Sequence, residues 1–301
     1  MDVQPLRLPP ADWRAREREH AARVDERVDA HLARRRTGRA HPVEDFLFVY
    51  YANSPGRLRR WHPGAGVVLE DAGRMPRASW RGYVTRVDGG VEVDVAGFVR
   101  DRAGTIDVVR RLLRATLDRP AFTGCFGLHE WAMVYRLAPE ELRHAGLPLR
   151  LSPAETEAVV EAHQVRCSHI DAYRFFTPAA VSRNLLRPTR ATQVEMEQPG
   201  CLHANMDLYK WAYSLTPLVP SDLVLNAFDL AREIRVLDMR ASPYDLRTIG
   251  FEPVAIETPA GKAAYVVAQR EFADRAQVLR RRLLAILDPA AAPAHSCGGD
   301  A

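Results

Sequence analysis

The chain has 301 residues, of which 47% are hydrophobic and 27% charged, with four cysteines and a net charge of +4. This composition excludes a collagenous, disordered or disulfide-scaffolded chain and fits one large globular domain or two small ones. A pI near 9.0 permits nucleic acid as a partner without arguing for it.

Cys125, Cys167, Cys201 and Cys297 show no CxxC spacing, so reduced thiols are expected. The sequence has no transmembrane run, and its charged N-terminus lacks the apolar stretch of a signal peptide. A cytoplasmic protein with no membrane partner is expected. Only Lys210 and Lys262 of the 42 basic residues are lysine.

Residues 1–10 are Pro-rich and expected to be loose. Residues 11–36 lack Gly and Pro and predict a helix with a thin apolar stripe of Trp13, Val24, Val28 and Leu32. Its basic end, with Arg34, Arg35, Arg36 and Arg39, suits a helix C-terminus. Residues 46–51, FLFVYY, read as a buried strand or a short core helix, and periodicity does not decide. Pro63-Gly64-Ala65-Gly66 reads as a turn before the β-rich VVLE, in preference to the hairpin of a helix-hairpin-helix motif.

Residues 83–95 alternate around Asp88-Gly89-Gly90 and predict a β-hairpin. A helix over 104–116 follows, with Ile106, Val109, Leu112 and Leu113 inward. Ser152, Pro153 and Glu155 spell a capping box. Ser221 is expected to cap an amphipathic helix on which Leu223, Ala227, Leu230, Ile234 and Leu237 recur. Thr258 and Pro259 open a last helix to Leu287, in competition with a hairpin joining 254–257 to 263–267. The expected fold is mainly α with a small β element (α+β). Its expected organisation is an N-terminal helix over 1–40, one globular domain over 41–288 and a disordered tail over 289–301.

The stretch QPGCLHANMDLYKWAY, 198–213, carries the main functional signal. From Cys201 it predicts a helix that is apolar on most sides, with Leu202, Met206, Tyr209 and Tyr213 on one face and Ala204, Leu208 and Trp211 beside it. His203, Asp207 and Lys210 share the one polar stripe. Burying these groups is costly unless each finds a partner. Two further apolar segments carry the same signature. One has His129 and Glu130 next to Trp131 and Tyr135. The other has His169 and Asp171 next to Tyr173 and Phe176; those two polar groups share a face if the segment is extended and not if it is helical.

Half of the chain's ten histidines, including His144 and His163, lie between 129 and 203. Imidazole with carboxylate is a ligand set for zinc, iron or manganese, although no HExxH, ExxH or facial-triad spacing is present. The three segments are expected to line one shared cleft. If metallic, that cleft would draw its ligands from His129, His169, His203 and Asp207. The alternative is a structural ion-pair network. Between the segments, Arg183, Arg187 and Arg190 lie in a Pro-interrupted connection that reads as an anion-binding loop or a solvated one.

At GCFGLHEWAMVYR, RCSHIDAYRFFTP, QPGCLHANMDLYKWAY and LDMRASPYDL the sequence resembles a group of actinobacterial proteins commonly named 3-methyladenine DNA glycosylase. The likeness runs from His41 to about Leu287. It implies excision of alkylated purines from DNA, a hydrolysis that requires no cofactor. An extruded base would stack on Trp131, Tyr135, Tyr173 or Trp211. Asp207, Asp171 or Glu130 would activate water or stabilise the sugar cation. Arg183, Arg187, Arg190 and Lys210 would hold phosphates. The same parts would serve a hydrolase of free nucleosides. Two other readings stand beside this one. The first is a metal-dependent enzyme using the His/Asp/Glu cluster on a small molecule with a divalent ion; the second is a non-catalytic binding domain.

Overall fold

The structure is a computed structural model that describes residues 4–142 and 146–291. His144, Cys297 and the expected tail from residue 292 onward lie outside the described residues. The fold is mainly α-helical with one small sheet.

In chain order the elements begin with β1 (Leu6–Leu8), α1 (Pro10–Arg36), α2 (Phe46–Tyr50), α3 (Pro55–Leu58), β2 (Val67–Leu69), β3 (Tyr83–Thr85) and β4 (Val91–Val93). They continue with α4 (Val95–Asp118), α5 (Leu128–Ala132), α6 (Pro153–Glu161), α7 (Ile170–Tyr173), α8 (Pro178–Val181) and α9 (Gln193–Met196). The last three, α10 (Leu202–Ser214), α11 (Ser221–Arg240) and α12 (Pro259–Ala291), form the centre of the molecule.

The sheet runs β1-β2-β4-β3. The expected hairpin is present as β3 and β4, paired antiparallel with Tyr83 opposite Val93. Gly89 supplies the positive φ of 80° in its turn. Residues 6–8 are not loose: they pair in parallel with Val67–Leu69, because the Leu6 amide finds the Gly66 carbonyl at 2.9 Å and Leu8 enters a small core with Trp13, Trp61, Leu69 and Val91.

FLFVYY resolves as helix, with Leu47 and Phe48 inward. The capping box of Ser152 and Glu155 forms on both sides. Ser221 does not cap α11; Pro220 holds that position. Instead the Ser221 hydroxyl accepts from the His62 amide at 2.8 Å and donates to the Arg60 carbonyl at 3.3 Å. The hairpin alternative near 254–267 gives way to α12, whose first turn is held by Thr258 Oγ1 accepting from the Gly261 amide at 3.0 Å. That helix runs through Pro289 to Ala291, past the expected start of the tail.

Helix α10 packs against α11 and α12, and α4 lies against α12. Every residue of α10 from Leu202 to Tyr209 is buried, as its all-round apolarity requires. Val24 and Val28 of α1 join this main core.

His62 sits between the sheet and the α11 start, its Nδ1 2.8 Å from the Tyr83 hydroxyl. Burial, and then the Arg77 charge, push its pKa from 6.5 down to about 3. The unfolded chain therefore binds a proton that the folded chain refuses as pH falls from about 6.5 to 3, and stability drops across that window. Each tenfold difference in proton affinity is worth about 1.4 kcal/mol. His62→Gln is expected to flatten the acid side of a melting-temperature profile between pH 7 and 4. Parallel profiles for the variant and the parent would refute this.

Candidate metal centre and cleft

Helix α10 is the axis of the site, but its polar stripe serves two neighbouring clusters. His203 turns toward α5 and α11, where its ring meets the His129 ring edge-on with centroids 4.6 Å apart. His129 Nε2 lies 2.9 Å from Asp238 Oδ1 and 4.0 Å from Glu130 Oε1. Arg235 bridges the two carboxylates, with Nη1 3.0 Å from Asp238 and 3.4 Å from Glu130.

One turn along α10, Asp207 belongs to the second cluster. His169 Nε2 stands 3.5 Å from Asp207 Oδ2 and 3.3 Å from Glu197 Oε1. Tyr51 donates its hydroxyl to Asp207 Oδ1 at 2.8 Å, and Lys210 Nζ lies 3.4 Å from Oδ2. The His169 and His203 rings are 5.4 Å apart, so the two clusters adjoin. In each, His129/His203/Asp238 and His169/Glu197/Asp207, three potential ligand atoms lie within 4.8 Å of one another.

Local sequence explains the placement. The residues after His169 are helical, not extended, and His169 occupies the cap position of α7. Asp171 then points elsewhere, pairing with Arg190 at 2.7 Å and Lys210 at 3.7 Å. His129 and Glu130, though consecutive, both reach the first cluster because it lies between their directions.

The electrostatics follow from burial. Burial pushes the His129 imidazole down, but Asp238 outweighs it and the pKa ends raised. His169 likewise ends raised, through Asp207 and Glu197. His203 also lies near Asp238, but burial and then the His129 charge outweigh that carboxylate and take the imidazole to about 3, leaving it neutral. Burial also raises Glu130 and Glu197. Asp207 and Asp238 stay below the usual carboxylate range against burial, through His169 and His129 respectively. The Arg190 hydrogen bond does the same for Asp171.

A cleft of about 550 Å³ opens above the clusters. Glu130, Asp171, His203 and Arg235 line it, with Phe46, Val49, Tyr50, Met133 and Phe175 as apolar wall. A few convergent polar groups in a mostly apolar concavity are the usual make-up of a small-molecule site. His169, Glu197 and Asp207 lie deeper and are nearly without exposure.

The other expected site residues fall differently. Trp131 and Tyr135 are 0% and 1% exposed, inside the main core, and offer no ring face to a base. Trp131 also donates Nε1–H to the Ala241 carbonyl at 2.9 Å. Tyr173 and Trp211 are partly buried against that core. Arg183 is engaged with Glu161 and the Tyr135 hydroxyl, and Arg187 with the backbone carbonyls of Asn184 and Leu186. Arg190 and Lys210 hold carboxylates. All four cations expected to contact phosphate therefore have partners inside the protein. His163 bonds the Val159 carbonyl at 2.6 Å, away from the clusters.

Sequence reasoning did not select Asp238, Glu197, Arg235 or Tyr51 as site residues. Arg235 and Asp238 did leave a signal, since each directly follows an apolar seam residue, Ile234 or Leu237, on α11. Glu197, in a loop before Pro199, left none.

The fold and clusters define a mainly α-helical protein with buried His–carboxylate sets beneath an open cleft. No protein-family model, no curated protein and no solved structure matches the chain. Among the described residues, no helix is long and apolar enough to cross a membrane.

Proposed function

We propose that the protein is a metal-dependent enzyme acting on a small molecule bound in the cleft, with the two clusters forming a paired divalent-metal centre at its base. His169 carries the reading. Its ring is 1% exposed, Nδ1 has no hydrogen-bond partner, and Nε2 makes only long, poorly aligned contacts with two carboxylates at 3.3 and 3.5 Å. Leaving a buried ring so incompletely satisfied is costly. Those separations fit the roughly 3.3–3.5 Å edges of a tetrahedron whose metal–ligand bonds are about 2.0–2.1 Å.

A divalent ion in either set would displace the proton that the carboxylates otherwise hold on His129 or His169. The neutral His203 at the cleft offers a lone pair without first losing a proton. Three protein ligands per ion leave a position for water or substrate, and an ion there would activate the water as a Lewis acid. Arg235, Lys210 and Tyr51 would hold the carboxylates in place. The unpaired thiols of Cys125, Cys167 and Cys201 support a reducing compartment, as expected for a cytoplasmic protein.

Elemental analysis of protein purified without chelator tests this reading. Zinc, iron or manganese is expected at one to two equivalents, and protein that neither retains nor takes up any of them would sink it. The glycosylase reading remains the competing proposal, supported by the resemblance. It would gain if free base is released from alkylated DNA by metal-free protein.

Because its guanidinium groups are already engaged, the 183–190 loop is expected to contribute nothing to DNA affinity. Arg183→Ala with Arg187→Ala should leave the slope of log affinity against log salt unchanged. A shallower slope in fluorescence anisotropy would restore the loop as a phosphate contact.

A further inference from the structure

A second cavity, of about 540 Å³, lies at the other end of α10, between the α3 segment, the edge of the hairpin and the start of α4. None of its lining residues belongs to the metal clusters or to the first cleft. Its charge is lopsided. Arg57, Arg60, Arg81, Arg100 and Arg102 line it against two carboxylates, Asp94 and Asp101. With His62 neutral, the lining carries five positive and two negative charges, a net +3.

The two carboxylates do not neutralise the interior. Asp94 is committed to the α4 N-terminus, accepting from the Gly97 amide at 2.9 Å. Asp101 sits at the rim beside Arg81 and Arg100, whose side chains are 90% and 77% exposed. Among the described residues, Arg57 and Arg60 have no carboxylate within ion-pair distance. Their guanidinium carbons instead lie 5.3 Å from the ring centroids of Tyr213 and Trp80.

Arg102 adds an independent sign of a built pocket. α4 leaves helical geometry at this one residue, and Arg102 reaches across to the Ser214 carbonyl at 3.0 Å. Its Nε remains buried with no hydrogen-bond partner. A buried guanidinium donor left unsatisfied, in a concavity that also holds two arginines with no carboxylate partner, calls for an anionic acceptor.

We infer that this cavity binds a nucleoside diphosphate, with the diphosphate held by Arg57, Arg60 and Arg102 and the base set against Trp80, Phe98 or Tyr213. The net +3 complements the charge of about −3 on a diphosphate ester near neutral pH. The volume lies within the roughly 300–1,000 Å³ of small-ligand pockets. Arginine serves phosphate better than lysine because its planar fork can bond two oxygens at once. A concavity of this volume suits a compact phosphate ester better than the long, evenly charged backbone of a duplex.

Isothermal titration of the full chain with ADP, pyrophosphate and adenosine, at about 0.1 M salt, tests this assignment. ADP is expected to saturate at one equivalent, with adenosine weaker by at least about tenfold. Arg57→Ala with Arg60→Ala should lower ADP affinity by about tenfold or more while leaving the melting temperature in place. Asp207→Asn should leave ADP affinity unchanged, which separates this cavity from phosphate bound at the metal centre. The assignment is overturned if ADP fails to saturate below about 1 mM, if the double arginine variant binds as the parent does, or if adenosine binds as tightly as ADP. Binding of duplex DNA without binding of ADP overturns it as well.

Discussion

Asp207→Asn is expected to lower the bound metal by about one equivalent and abolish turnover while the protein stays folded. Asn keeps the shape of the side chain and an oxygen acceptor for the Tyr51 hydroxyl, now 2.8 Å from Oδ1. It removes the charge that an ion between His169, Glu197 and Asp207 requires. The folding cost should be modest, on the order of 1–2 kcal/mol. Lys210, whose side chain is 31% exposed, turns to Asp171 or to water, and His169 can shed its proton or keep Glu197 at 3.3 Å. A structural network predicts the reverse. There the parent holds no metal, and the variant loses about 3–5 kcal/mol because a buried cation has lost its partner. Metal content and melting temperature, measured on the same preparations, separate the two.

The centre of this site was legible because α10 breaks a rule. A helix apolar on nearly every side is a buried helix, and His203, Asp207 and Lys210 on it had to find partners there. The same reasoning applied to His129, Glu130, His169 and Asp171, which the fold does bring around α10. Periodicity fixes which face a residue occupies, not which neighbour fills the space opposite. The shared stripe therefore gave no sign that His203 and Asp207 would serve different clusters.

Charge behaved the same way. Arg190 in a polar loop reads identically whether its guanidinium faces solvent or Asp171, and only the fold shows the latter. Trp131 and Tyr135 were legible as apolar positions, but not as rings enclosed on both faces. β1 escaped detection for another reason: three residues are too short to show alternation, and their partner strand lies some sixty residues away. Tyr51, at the end of FLFVYY, looked like core, and only its hydroxyl, aimed at Asp207, marks it as part of the site.

Arg235→Ala is expected to be the most destabilising single change at the site in metal-free protein, by about 3–5 kcal/mol. The side chain is 4% exposed, and Nη1 is shared between Asp238 at 3.0 Å and Glu130 at 3.4 Å. Its guanidinium also lies 4.0 Å from the centroid of the Phe46 ring on the cleft wall. Truncation leaves two buried carboxylates facing each other with only the His129 imidazolium between them and solvent-poor surroundings. One of the two must then take up a proton, and Glu130, already raised by burial and by Asp238, is the one to do so. Divalent metal changes the outcome, because an ion held by His129, His203 and Asp238 supplies the positive charge that the arginine gave. Added zinc or manganese should therefore raise the melting temperature of Arg235→Ala more than that of the parent. An ion-pair network without metal predicts the same loss on truncation and no greater rescue by either ion. Melting curves of both proteins with and without added metal decide between them.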